Sequence, residues 1–281
     1  MYKLPSLQEL LEAGVHFGHQ VRRGHPRMKP YIYGAREGVH VIDLATSEAL
    51  LKEACEAVYS LGKEGKVLLF VGTKKQAKPI VEELAKKLQA PYMTERWIGG
   101  FLTNFEEIRK NIKLLKDLTQ QKEKGELAKY TKKEQLLISR RMDKLQRDFI
   151  GVMDLERVPE AIFVVDSVSD NVAVREANRL KIKVVAIADS NCNISEIDYP
   201  IPGNDDAIKS IKILTETIAS AFEEGKKEAG KIAEKAAKKA SAAEALADKE
   251  KDGVDEELKE EVAVAEEIME KKAVKDAEKV V

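Results

Sequence analysis

Three short runs of apolar residues, each closed by a strand-stopping residue and each leading towards a helix-like stretch, constrain this chain more than any other feature of its sequence. Residues 66–71 end at Gly72 and precede a helical stretch over roughly 74–89. Residues 161–165 end at Asp166, ahead of a helix near 170–180, and residues 184–188 end at Asp189. Residues 199–201 read as a shorter fourth run, with a helix following from about Asp205 to Phe222. A run too short to be a helix and apolar nearly throughout has no polar face to give to water, so it belongs in a sheet covered on both sides. Strands alternating with amphipathic helices build that sheet in parallel, with right-handed crossovers. The expected fold class is therefore α/β with a parallel sheet.

The rest of the chain is arranged around that alternation. Residues 6–13 predict a short helix, with Ser6 and Glu9 spaced as a capping box and Gly14 ending it. Residues 15–30 carry little periodicity and much charge, which predicts an exposed loop, and the segments around 31–33 and 39–42 predict a β-hairpin. From Ile108 apolar residues recur at spacings of four, three and three (Ile112, Leu115, Leu118), and from Ile138 at four, three and four (Met142, Leu145, Phe149). Each set is a narrow seam on a charged helix, which predicts an antiparallel, coiled-coil-like helical hairpin projecting from the main domain. The expected division is a first part of the core over 1–103, the inserted hairpin over 104–150, a second part of the core over 151–222 and a tail over 223–281. The tail is rich in Ala, Lys and Glu and lacks aromatic residues; helical propensity with little to bury predicts fraying helix or disorder.

Charge matters because of its distribution. The formal net charge is −1, yet residues 223–281 hold 13 Lys against 18 acids, leaving 35 basic and 31 acidic residues in 1–222. The hairpin segment is the more basic part, with 13 Lys or Arg against 8 acids. Two cysteines, Cys55 and Cys192, make no disulfide framework and no paired metal spacing, so a reducing, cytoplasmic setting is expected. Neither a signal peptide nor an apolar stretch of about 18 residues is present, so no membrane span is expected.

Four motifs invite chemistry. Gly72-Thr73-Lys74-Lys75 places a glycine, free N–H groups and positive charge at the end of a strand, a phosphate-binding arrangement, although neither the dinucleotide nor the nucleotide-loop fingerprint is complete. Asp166 and Asp189 stand where open α/β sheets bind ligands, and could hold a metal or a ribose, or simply cap a helix. His16, His19, His25 and His40 are close in sequence but lie among Arg and Lys, so no metal site is expected and RNA or partner contacts suit them better. The stretch over 95–104 holds the sole Trp, adjacent glycines for close backbone approach, and Arg96; Trp97 could stack on a base or fill the core, and core packing is the plainer role. No serine–histidine–acid set or activated cysteine is identifiable, so no catalysis is expected.

Taken together, the stretches 10–20, 28–34, 70–77, 96–105, 161–166 and 198–207 resemble, in the same order, the motifs of the bacterial small-subunit ribosomal protein two family. The resemblance spans roughly residues 6–222. It implies a flavodoxin-like three-layer core with an inserted helical hairpin, no catalysis and no obligatory cofactor. It also implies assembly onto small-subunit ribosomal RNA among neighbouring ribosomal proteins, on the solvent side near the head–body junction, and help in docking the large messenger-binding ribosomal protein one. The expected mechanism is recognition of the phosphate backbone by Lys and Arg, with folded RNA read mainly by shape. The candidate contacts are Arg22, Arg23, Arg27, Lys29 and Arg36 in the first loop and hairpin, Lys74 and Lys75 after the strand, and Arg96, Asn104, Arg109 and Lys110 at the base of the insert. Two alternatives stand beside it: a doubly wound small-molecule enzyme using the 72–75 loop for phosphate and Asp166 or Asp189 for a metal, and a protein-interaction scaffold without RNA contact.

Overall fold

The computed structural model describes residues 2–231, and the chain divides into a unit ending at Ala229 and another from Gly230 on; the first is described below, and most of the expected tail lies outside the described residues. In the first unit, helix α1 (Leu7–Glu12) starts at Ser6 with the expected reciprocal capping box to Glu9. Strands β1 (Phe17–Gln20), β2 (Ile32–Arg36) and β3 (Val39–Ile42) then form a small antiparallel sheet in the order β1-β3-β2. The β2–β3 hairpin is legible from two strand-like segments on either side of Gly34 and Gly38, although Gly34 falls inside β2 and only Gly38 is in the turn. Strand β1 is not, because its residues Phe-Gly-His-Gln lack the alternation that marks a strand; pairing with β3 is what extends them.

Helix α2 (Leu44–Lys63) follows, capped by Asp43, and then the main sheet begins. Its strands are β4 (Leu68–Val71), β5 (Tyr92–Met93), β6 (Ala161–Val164), β7 (Lys183–Ala188) and β8 (Tyr199–Pro202), all parallel, in the order β5-β4-β6-β7-β8. Every residue of β4 and β6 is buried, as runs without a polar face require. Alternate side chains go to opposite layers. Leu68, Phe70, Phe163 and Ile187 pack against α2, α3 (Lys78–Leu88) and a last helix, α7 (208–229). Leu69, Val71, Ile162 and Ala186 pack on the other side, against α6 (Asn171–Arg179), Trp97, Phe101 and the roots of the insert. This is the flavodoxin-like three-layer arrangement.

The insert consists of α4 (Phe105–Glu123) and α5 (Lys132–Phe149), joined through Gly125 and a short 3-10 turn, with a second capping box from Thr131 to Glu134. Its seam is fully buried at Phe105, Ile108, Ile112, Leu115, Met142 and Phe149, and only half-buried at Leu118, Ile138 and Leu145. Most of the buried seam residues join the core cluster on the α6 side, so the hairpin is rooted in the core. The sequence boundary at 222/223 falls inside α7. Gly62 on α2 lies against this helix so closely that a Cβ there would stand 2.6 Å from the Phe222 carbonyl oxygen, and Gly225 meets Tyr59 in the same way. Lys226 Nζ donates to the Leu88 carbonyl at 2.9 Å, and Tyr59 donates to Glu228. Among the described residues no helix is long and apolar enough to cross a membrane.

Candidate functional site

Doubly wound sheets bind ligands beyond the carboxyl ends of their strands, where the strand order reverses, here between β4 and β6. In this chain that crevice is filled by its own side chains. The Gly72 N–H donates to the Met93 carbonyl at 3.0 Å, and the Thr73 N–H and hydroxyl donate to Asp170 at 3.4 and 2.9 Å. Those N–H groups are therefore spent. Gly72 is required by packing, since a Cβ would lie 2.8 Å from Val81 of α3.

Lys74 turns inward, its side chain 19% exposed, and its ammonium lies 3.2 Å from Asp166, 2.8 Å from Asp205 and 2.7 Å from Asp206. Burial alone would lower its pKa, but the hydrogen bonds and charges of these carboxylates raise it above the ordinary value. Asp166 also accepts from the N–H groups of Val168 and Ser169, both at 2.9 Å, which closes the turn ahead of α6; the N-cap residue of that helix is Asp170, so Asp166 does not cap it. Burial, with Asp166 and Asp189 nearby, pushes Asp205 up to about 7. An arriving phosphate would meet a neutralised lysine surrounded by acids. Lys74, expected among the phosphate contacts, is thus ion-paired within the protein.

Strand β1 closes the same end of the sheet. The His19 N–H donates to Asp189 at 3.1 Å and to Ser190 Oγ at 2.8 Å, and the His25 N–H donates to the Ser190 carbonyl at 2.8 Å. The His19 ring lies with Nδ1 3.0 Å from Asp189 and Nε2 3.5 Å from Asp206; the bond to Asp189 raises its pKa against the opposing effect of burial. Among the described residues His19, Asp205 and Asp206 are the group with donor atoms close enough to hold a cation, all within 4.8 Å, although Lys74 already sits on both carboxylates. The other three histidines stand outside that group.

The remaining candidates are on the surface. Arg22, Arg23, Arg27, Lys29, Arg36, Lys75, Arg96, Asn104, Arg109 and Lys110 are all exposed. Arg22 Nε donates to Gln20 at 2.8 Å, Arg27 reaches Asn193 at 3.4 Å, and Lys110 pairs with Glu107 at 2.5 Å. The first loop is anchored by buried Met28 and half-buried Tyr31, in the same apolar cluster that holds Trp97, Phe101 and Phe105. Two basic segments distant in sequence are thereby fixed to one layer of the molecule. At the root of α4, Arg109, Lys110, Lys113 and Lys116 line a groove with Ile112, Met153 and Leu155 and the acids Glu106 and Glu156, and Lys116 pairs with exposed Asp154 at 3.6 Å. Lys113 and Lys116 were not among the sequence candidates, though Arg109, Lys113 and Lys116 recur at four and three, the spacing that marked the apolar seam. Trp97 takes the core role, 7% exposed and edge-on to Phe101 at 5.3 Å. Of the paired glycines, Gly99 faces open space, and Gly100 serves a turn with φ +86°, so close backbone approach is not their purpose.

A second surface is apolar. His16, Phe17, Tyr33, Val39 and Val41 line a groove beside Arg36 on the small antiparallel sheet, with Tyr33 84% exposed.

The small ribosomal subunit protein uS2 of a Nitratiruptor species is 46% identical over 221 residues, covering 79% of this chain and 83% of that protein. The protein of the same name from Campylobacter concisus is 43% identical over 89% of this chain and 94% of its own length, and that of Koribacter versatilis 41% identical over 94% and 89%. Residues 10–225 match the family described as ribosomal protein S2. The chain belongs to the ribosomal protein S2 family, a family of ribosomal structural proteins and not of enzymes.

Proposed function

We propose that the chain is a structural constituent of the small ribosomal subunit that holds ribosomal RNA mainly by its phosphate backbone. The observation that carries this reading is the separation of charge. Carboxylates at the sheet's carboxyl end are consumed internally by Lys74, His19 and backbone donors, while the basic groups of the first loop and of the α4 root point to solvent. Phosphates are met by Arg22, Arg23, Arg27, Lys29 and Arg36 on one segment and by Arg96, Asn104, Arg109, Lys110, Lys113 and Lys116 on the other, with Lys75 near the strand ends. Lys74 supports the loop from within. Such contacts set orientation, and RNA shape supplies selectivity. Neighbouring ribosomal proteins share the surface, and the groove of Phe17 and Tyr33 is of the apolar, aromatic kind that a protein partner covers, suited to docking the large messenger-binding ribosomal protein one.

Sedimentation of a gentle lysate at low and high salt tests the reading. Co-migration with the small subunit and stripping at high salt are expected; migration as a free protein under both conditions would overturn it.

A further inference from the structure

The segment joining β5 to the hairpin, residues 94–104, has no strand or helix to satisfy its backbone, yet it must hold the root of α4 firmly. It does so through one carboxylate. Glu176 on α6, 9% exposed, accepts from the Trp97 indole N–H at 3.1 Å, the Gly100 N–H at 2.7 Å, the Leu102 N–H at 3.0 Å, and the N–H and hydroxyl of Thr103, each at 3.2 Å. A carboxylate offers about four lone-pair positions, so five donors saturate it. Above this bond cluster Trp97, Phe101 and Phe105 stack edge to face at 5.3 and 6.2 Å, and Phe105 is the first residue of α4. Arg96 and Asn104, at the two ends of the clamped turn, and Arg109, one turn into α4, project from it.

We propose that Glu176 is the positioning residue of the hairpin: it fixes the direction in which α4 and α5 leave the core, and with it the placement of Arg96, Asn104, Arg109 and the lysines of the α4 root. The link runs from a single buried acid on α6 to a basic surface it does not touch. No apolar side chain replaces it, because the four N–H groups it serves, those of Trp97 and Leu102 in buried contacts and those of Gly100 and Thr103 in part-buried ones, would then lose their acceptor. In its relation to RNA the inference rests on the function proposed above; in its relation to hairpin geometry it stands alone.

The test measures both. Lys122→Cys on the hairpin and Lys52→Cys on α2 are exposed positions for spin labels, whereas Cys55 and Cys192 are buried with thiols pushed up to about 12 and stay unlabelled. Electron–electron distance measurements are made on the full chain carrying Glu176, Glu176→Gln, Trp97→Phe or Ile218→Val, the last a core substitution in α7 remote from the turn. Glu176→Gln keeps the shape but loses the charge and turns an amide NH2 towards N–H donors. A narrow distance distribution is expected in the parent and in Ile218→Val, a broad one in Glu176→Gln, and an intermediate one in Trp97→Phe, which carries the measurement if Glu176→Gln does not fold. In binding to small-subunit RNA, Glu176→Gln should flatten the salt dependence by about 2 in log–log slope, at about 0.7–0.9 for each phosphate no longer met. Distributions as narrow in Glu176→Gln and Trp97→Phe as in Ile218→Val would overturn the proposal. If the parent chain shows no salt-sensitive RNA binding, the proposed function falls, and the distances still decide the role of Glu176.

Discussion

Removing the ammonium of Lys74 would leave Asp166, Asp205 and Asp206 facing one another without their shared counter-charge. Breaking a buried ionic cluster from one side costs about 3–5 kcal/mol. Lys74→Met should therefore lower the melting temperature by roughly 6–12 °C in a chain of this size. Lys74 holds the Asp205 pKa down to about 7, so without it that carboxyl takes up its proton at higher pH, and the deficit should shrink as the pH is lowered towards 7. A loss below about 1 kcal/mol in thermal unfolding would mean that solvent screens the cluster. Glu176 gives a pH effect of the same sense in a more acid range. Burial alone would raise its pKa, but the donors of Gly100, Trp97, Thr103 and Leu102 bring it below the ordinary 4.5. A depressed carboxylate stabilises the fold above its unfolded pKa, and that contribution disappears as the pH falls through the folded value. The melting-temperature gap between the parent and Glu176→Gln should be full at neutral pH and close in the acid range below about 4.5. A gap independent of pH would show that shape, and not charge, is what Glu176 supplies. Neither role was legible in the sequence: Lys74 looked like a phosphate ligand and Glu176 like one of many surface acids, because hydrogen-bond partners more than 70 residues away are invisible to local pattern.

Among the elements, the capping box of α1, the β2–β3 hairpin, the buried strands and both seams of the hairpin were readable, each from a signal contained within a few residues. Strand β1, the two-residue β5 and helix α2 went unread. The first two are too short to show a period, and α2 carries its apolar face in small or mixed residues such as Ala54 and Cys55. The α2–α7 contact is set by Gly62 and Gly225, a close approach that only the packed helices reveal. Gly62→Ala should destabilise by about 1–3 kcal/mol, since the helices must separate to admit a methyl group. Denaturant unfolding with an unchanged m-value would report this; a variant as stable as the parent would mean that the contact yields without cost.

For the molecule as a whole, charge placement matters more than net charge. Replacing Arg109, Lys113 and Lys116 by Gln should reduce the salt slope of RNA association by about 2–3, while leaving thermal stability within about 0.5 kcal/mol, because these side chains are exposed. An unchanged slope would remove the α4 root from the interface. The sequence by itself determined the class of fold, the hairpin's two seams and which segments are basic, because these follow from side-chain period and composition along a local stretch. Only the tertiary structure decided that the crevice at the strand ends is filled by Lys74 and its acids, that β1 closes it, and that Glu176 holds the hairpin root. Each of those depends on groups brought together across the sheet, where burial strips away water and makes one partner's position set another's charge and geometry.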